Sequence, residues 1–300
     1  MQYQLLIQEL QRQGIPTTEQ EPLCRHTTFK IGGPAAVFCQ PKDRDQLAAA
    51  LRACKVAGAR NYLLGKGSNI LFADEGFDGV VICLAGLAGG VRHEGNELWA
   101  GAGESLAKVC VAAGRAGLSG LEFAYGIPGS VGGAVYMNAG AYGGEIKDVL
   151  QAVTFLDETG GEHTLPAEEL GLGYRTSVFE QKPWCVLEAK FRLTPDDPEA
   201  IGARMRDYAE RRAEKQPLEL PSAGSTFKRP AGAFAGALID QCGLRGFSLG
   251  GAAVSQKHCG FVVNMGGATC ADILALTDEV CRIVKEKTGY VLEKEIRVVR

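Results

Sequence analysis

Two glycine-rich segments carry the residues best suited to chemistry. The first, Gly65-Lys66-Gly67-Ser68-Asn69 with Ile70 behind it, follows a strand expected at Asn61 to Leu64. The second is Tyr125 to Glu145, YGIPGSVGGAVYMNAGAYGGE, in which seven of 21 residues are glycine and no charge appears before Glu145. Val131, Val135, Tyr136 and Met137 interrupt it with core-sized side chains, so it is no surface linker. Pro128 and the repeated glycines argue against an ordinary helix there. Small residues let a backbone approach a flat partner closely and turn its N–H groups toward it. Two such segments point to walls lying against a large dinucleotide; a tightly packed turn and a plain hairpin loop are the alternatives.

The residues just beyond the first loop decide its type. A Rossmann or P-loop turn opens a helix whose N-terminus holds the phosphate. Here Ile70-Leu71-Phe72 and then Gly79 to Leu84 read as strands. The loop is therefore neither motif, and a pyrophosphate would be held by a nest of loop N–H groups with help from Ser68 and Asn69.

The elements that must position these loops can be read along the chain. Helices are expected near the N-terminus, over Asp43 to Ala57, from Ser105, over Glu199 to Lys215, over Ala233 to Gln241, and over Asp272 to Lys287 before Gly289. Strands are expected at Ala36 to Gln40, Leu98 to Gly103, Val149 to Asp157, Trp184 to Leu193 and Val262 to Asn264. The last, Tyr290 to Val299, sets Leu292, Ile296 and Val298 on one face and Glu293, Glu295 and Arg297 on the other, with Lys294 the exception on the apolar face. Thr194-Pro195-Asp196-Asp197-Pro198 is the clearest linker. Three hundred residues exceed one ordinary core. Cuts near residues 85 and 195 give segments 1–85, 86–195 and 196–300.

Composition narrows the function classes. With 46% hydrophobic and 22% charged residues the chain is globular, and glycine, at 40 residues, is nearly twice its usual share. A net charge of -3 with no Lys/Arg run longer than two residues gives no basic face for nucleic acid. Ten cysteines without any C-x-x-C spacing, and only four histidines, read as free buried thiols and not as a zinc site or disulfide framework. The N-terminus, MQYQLLIQELQRQG, lacks a basic start and an export-length apolar core. It reads as an amphipathic helix, which places the chain in the cytoplasm with no membrane insertion.

In order, HTTFKIGG, LLGKGSNIL, GIPGSVGGAVYMNAGAYG, GYRTS, AGSTFK and LEKEIRVV closely resemble the UDP-N-acetylenolpyruvoylglucosamine reductase family over nearly the whole chain. The short spacing between GYRTS and the linker resembles its compact second type. The resemblance implies an α+β fold of three domains. Two form a vanillyl-alcohol-oxidase-type (PCMH) FAD-binding unit, over 1–85 and 86–195, and the third, 196–300, is an α+β substrate-binding domain. It implies non-covalent FAD between the Gly65–Ile70 loop and the second stretch through Gly129, Ser130, Gly132, Gly133, Asn138, Ala139 and Ala141. NADPH is implied as co-substrate, a UDP-linked enolpyruvyl amino sugar as substrate, and the state is expected to be a monomer.

By the same resemblance, Arg175 meets the substrate carboxylate, Ser225 donates the proton, and Glu295 helps to stabilise the intermediate. Tyr174, Lys215, His258 and Arg297 match substrate-facing positions. Arg229 stands where the family usually has asparagine, so its grip on the diphosphate is a departure. Read without the resemblance, Arg175 is a surface ion-pair residue, Glu295 and Arg297 an exposed strand pair, Ser225 a turn cap and His258 a packed histidine. Two other functions compete: an FAD oxidoreductase of the same superfold acting on a sugar or alcohol, and a non-catalytic nucleotide-sugar binder. The first often binds flavin covalently, and among the glycine-rich segments only His26 lies near such a position.

Overall fold

The structure is a computed structural model that describes residues 3–87 and 89–300, so the first two residues of the expected N-terminal helical segment lie outside it. The chain divides into two compact units. One comprises Met1–Glu19, Val37–Lys66 and Gly79–Arg211, the other Gln20–Ala36, Gly67–Asp78 and Arg212–Arg300.

The first unit contains two separate cores. Helix α1 (Gln4–Arg12) and helix α2 (Arg44–Val56) bury Leu6, Leu10, Leu47 and Leu51 with Val80 and Ile82. Helix α2 starts where it does because the Asp43 carboxylate accepts from the Gln46 N–H at 2.9 Å. Strand Asn61–Leu64 runs parallel to Phe77–Cys83, with Asn61 opposite Val80 and Leu64 opposite Cys83. It delivers the chain into the first glycine loop.

The second core fills one face of a five-stranded antiparallel sheet. Its strand order is Glu162–Pro166, Leu150–Leu156, Cys185–Arg192, Glu97–Gly101, Val91–Glu94. Leu98, Val153, Phe155 and Phe191 pack there against helix α3 (Leu106–Arg115) and a short helix α4 (Val131–Tyr136). Helix α4 corrects the expectation of a helix-free glycine stretch. The Ser130 hydroxyl accepts from the Gly133 N–H at 3.3 Å to start it, and Val131 and Val135, four apart, anchor its buried face. One of its two glycines is a packing need: a Cβ at Gly132 would lie 3.1 Å from that of Ala102. Tertiary contact has outweighed propensity. Ile201 and Met205 of helix α5 (Pro198–Lys215) close the same core.

The second unit packs helix α6 (Ala235–Gln241) and helix α7 (Cys270–Thr288) on a small sheet ordered Ser248–Leu249, Ala252–Val254, Val262–Asn264. Its core includes Phe29, Leu71, Ile239, Val262, Leu276 and Ile296. Helix α7 opens with a capping box between Thr269 and Asp272 and ends at Gly289, whose φ of +77° suits the left-handed cap. The final strand is shorter than its alternation suggests. Only Arg297–Val299 pairs as a strand, parallel to Ile70–Phe72, and Lys294 reaches out of its half-buried position to Asp278.

All ten cysteines are free thiols, eight of them buried, and burial pushes Cys54, Cys110 and Cys185 up to about 12. They are packing residues in their protonated form. Among the described residues no helix is long and apolar enough to cross a membrane, and no cluster of three or more His, Cys, Asp or Glu is placed to hold a metal ion.

Candidate active site

The two glycine segments meet. A Cβ at Gly65 would lie 2.6 Å from the Ser130 hydroxyl oxygen, so the backbone of the first loop runs against the start of helix α4. Gly67, with φ of +61°, has no room for a side chain either: a Cβ there would sit 2.1 Å from the His26 carbonyl oxygen. The Gly67 carbonyl accepts from the Thr28 N–H at 3.1 Å, and the Thr28 hydroxyl reaches the Ser222 carbonyl at 2.6 Å. The N–H groups of Gly65, Lys66, Gly67 and Ser68 donate to no acceptor among the described residues. Backbone donors left unspent in a loop with no room for side chains are what a pyrophosphate nest needs. FAD fits these residues.

The rest of the second stretch builds a platform for Arg175. Gly173 and Thr176 exchange backbone hydrogen bonds of 3.1 and 3.4 Å, which leaves Tyr174 and Arg175 at the tip of a two-residue turn. Arg175 has φ of +55°, a left-handed conformation that a long side chain adopts only at a cost. Its guanidinium lies 4.9 Å from the Tyr174 ring centroid and donates to the Gly140 carbonyl at 3.1 Å. Asn138 is fully buried, and its amide donates to the Gly173 carbonyl at 2.9 Å and to Glu145 at 3.1 Å. Burial raises the Glu145 carboxyl, but Lys147, Asn138 and Arg175 outweigh it and hold the group below the usual carboxylate value. Ala139 and Ala141 flank Gly140, where a larger residue would crowd the returning Glu145 segment.

The second unit brings the other predicted residues together. The Glu295 N–H donates to the Thr226 carbonyl at 2.8 Å, and Lys228 N–H to Glu293 at 2.8 Å, so the Ser225 segment lies directly beside the last strand. Asn69 is tied into the same place, its amide donating to the Glu295 carbonyl at 3.1 Å while its own carbonyl accepts from Arg297 N–H at 3.0 Å. Ser225 is exposed, while Glu295 and Arg297 are half-buried. The end of the first glycine loop, the proposed proton donor and the proposed glutamate thus share one edge. Tyr174 and Arg175 belong to the first unit, and Ser225, Glu295 and Arg297 to the second.

The remaining three are also in the second unit. Lys215 is exposed at the C-terminal end of helix α5. Arg229 lies over the ring of Phe234 at 4.5 Å. His258 has its Nδ1 accepting from the Gly260 N–H at 3.0 Å, and burial lowers its pKa and so disfavours the charged ring. Thr28 and Glu145 were not anticipated from the sequence. Their signal, polar residues embedded in otherwise small or apolar motifs, is weak until the contacts are visible.

The chain is similar to known proteins along nearly its whole length. Residues 216–299 match the family described as UDP-N-acetylenolpyruvoylglucosamine reductase, C-terminal domain, and residues 34–165 match the FAD binding domain family. UDP-N-acetylenolpyruvoylglucosamine reductase of Lachnoclostridium phytofermentans is 47% identical over 303 residues, covering 98% of this chain and 97% of its own. That of Agathobacter rectalis is 48% identical over 296 residues, covering 94% and 93%. The crystal structure of UDP-N-acetylenolpyruvylglucosamine reductase from Thermus caldophilus superimposes with a TM-score of 0.79 at 37% identity, over 95% of this chain and 99% of that one. With similarity of that depth along nearly its whole length, the chain belongs to the UDP-N-acetylenolpyruvoylglucosamine reductase family, FAD-dependent oxidoreductases of peptidoglycan precursor synthesis.

Proposed function

We propose that this protein reduces the enolpyruvyl group of UDP-N-acetylglucosamine-enolpyruvate to the lactyl ether of UDP-N-acetylmuramate, at the expense of NADPH. The observation that carries the reading is the shared edge on which Asn69, the Ser225 segment and the Glu295 strand are joined by hydrogen bonds of 2.8 to 3.1 Å, the longest of them from the Asn69 side-chain amide. FAD held by the Gly65–Ile70 loop and the start of the second glycine stretch would supply the redox chemistry, passing the hydride equivalent of NADPH to the terminal vinyl carbon.

The protein's own groups manage the charge and the proton. Negative charge flows into the substrate carboxylate as the carbon–carbon double bond is consumed. The planar fork of Arg175 suits that carboxylate, and Glu295, sharing a proton, steadies the enolate-like state. Ser225 gives its proton to the adjacent carbon. Serine is a weak acid, but an enolate-type carbon is a strong base, and Lys215 or water supports the transfer. Tyr174, Arg297 and His258 line the substrate, and Arg229 grips its diphosphate in place of the usual asparagine. Gly65 to Ile70 hold the cofactor on one side, and Gly129, Ser130, Gly132, Gly133, Ala139 and Ala141 on the other, without a covalent bond; Asn138, expected among them, has its side chain spent on Gly173, Glu145 and Lys147 instead.

Three domains are part of this reading, cut near residues 85 and 195, and the three separate hydrophobic cores support it. The protein acts as a monomer in the cytoplasm, where NADPH and nucleotide sugars are found. The test is NADPH oxidation by the yellow holoenzyme with and without the enolpyruvyl substrate. Oxidation that depends on substrate and yields the lactyl ether is expected. NADPH oxidation indifferent to that substrate overturns the reading, and faster turnover of a simple alcohol or sugar favours the wider flavin oxidoreductase alternative.

A further inference from the structure

The mechanism leaves one buried polar group without a task. Asn138 sits within the second glycine stretch, is 0% exposed, and has φ of +40°. Asparagine is among the few non-glycine residues that tolerate such a backbone. Its side chain is nonetheless fully engaged. The two amide hydrogens go to the Gly173 carbonyl at 2.9 Å and the Glu145 carboxylate at 3.1 Å, and the amide oxygen accepts from the Lys147 N–H at 2.9 Å. Both of its donors already have protein acceptors, so its side chain has no hydrogen to offer a cofactor.

Each partner leads to the same place. Gly173 is the first residue of the turn that carries Tyr174 and Arg175. Beyond that turn, the Ser177 hydroxyl donates to the Tyr136 carbonyl at 2.7 Å, so the second stretch clamps the turn from both sides. Glu145 forms an ion pair with Lys147 at 2.7 Å, and Arg175 itself donates to the Gly140 carbonyl between Asn138 and Glu145. The left-handed conformation of Arg175 is unfavourable for a residue with a side chain. Such a conformation persists only where its surroundings over-determine it.

We propose that Asn138, with Glu145 behind it, is the positioning residue of the Arg175 turn, fixing the guanidinium where the substrate carboxylate must dock. The inference rests on the reading of Arg175 as that carboxylate's partner. Asn138 acts through the turn and does not touch the substrate. Its removal therefore misplaces an otherwise intact arginine, an error of about 1 Å that can cost on the order of a hundredfold in rate.

The variant Asn138→Gly removes the amide while keeping a residue at ease with positive φ. Holoenzymes of wild type, Asn138→Gly, Arg175→Ala and the double variant are compared in stopped flow, one half-reaction at a time. For Asn138→Gly the flavin absorption spectrum and the rate of flavin reduction by NADPH are expected within about twofold of wild type, and reoxidation by the enolpyruvyl substrate roughly ten- to a hundredfold slower. Adding Asn138→Gly to Arg175→Ala is expected to change reoxidation by less than about threefold, since the positioned group is already gone. Glu145→Gln, which keeps an acceptor but removes the charge, is expected to slow reoxidation in the same direction and decides the matter if Asn138→Gly does not fold. Loss of flavin, or equal slowing of both half-reactions, overturns the proposal in favour of a cofactor contact or a merely structural role. Unchanged reoxidation overturns it outright. If Arg175→Ala reoxidises at the wild-type rate, the underlying reading of Arg175 has failed instead.

Discussion

Ser225 is proposed as the proton donor although a serine is a poor acid; its segment lies directly beside the last strand, which carries the proposed Glu295. Ser225→Ala should therefore leave flavin reduction by NADPH near the wild-type rate and slow substrate-driven reoxidation by orders of magnitude. Rapid-scanning absorbance of each half-reaction measures this, and equal losses in both would make Ser225 a structural residue. Arg175 and Glu295 are both assigned to the charge on one intermediate, so they should behave as a unit. Glu295→Gln and Arg175→Ala should each depress turnover far more than substrate binding, because the carboxylate gains charge mainly in the transition state. The double variant should be little slower than the poorer single one. Fully multiplicative losses in steady-state assays, with flavin spectra unchanged, would assign them separate tasks.

At the scale of elements, backbone conformation carries the site. Gly67→Ala must force a side chain into a left-handed position against the His26 carbonyl. It should lower both flavin content and melting temperature, measured by absorbance ratio and thermal denaturation; retention of full flavin would remove the loop from the cofactor site. Helix α7 gives a second test. The Asp272 carboxyl is held below its usual 3.8 by the backbone N–H groups of Thr269 and Gly251. A carboxyl depressed on folding stabilises the native state above its unfolded value, and that contribution is lost as pH falls through the folded one. Asp272→Asn should thus lower the melting temperature at neutral pH, with the gap closing as pH drops below about 3.8. A gap independent of pH would contradict the capping role.

Much of this scale was legible in the sequence. The helices over residues 44–56, 106–115 and 270–288 announce themselves by period and by Asp43, Ser105 and Gly289 at their ends. The strand Asn61–Leu64 and the strand after the first loop could be read as well, which excluded a Rossmann turn. Strands Val91–Glu94 and Glu162–Pro166 could not be read, because both lie at the edges of their sheet and present mostly exposed residues. Helix α4 was hidden for the opposite reason: Gly132 packs against Ala102 and lowers the helix propensity of the segment it belongs to. The support of Arg175 by Asn138 joins the second glycine stretch to a turn far along the chain, in a contact that no local pattern encodes.

At the scale of the whole molecule, the described residues form three hydrophobic cores, and the protein is proposed to hold one flavin. Non-covalent binding predicts that acid precipitation releases all the yellow colour into the supernatant, whereas flavin left on the pellet would point to a covalent link. The most direct test of the central claim is a single turnover. Holoenzyme reduced anaerobically with one equivalent of NADPH, then mixed with UDP-N-acetylglucosamine-enolpyruvate, should regain oxidised flavin absorbance while forming one equivalent of UDP-N-acetylmuramate. Reduced flavin that persists in the presence of that substrate, or reoxidation without the lactyl product, would contradict the account.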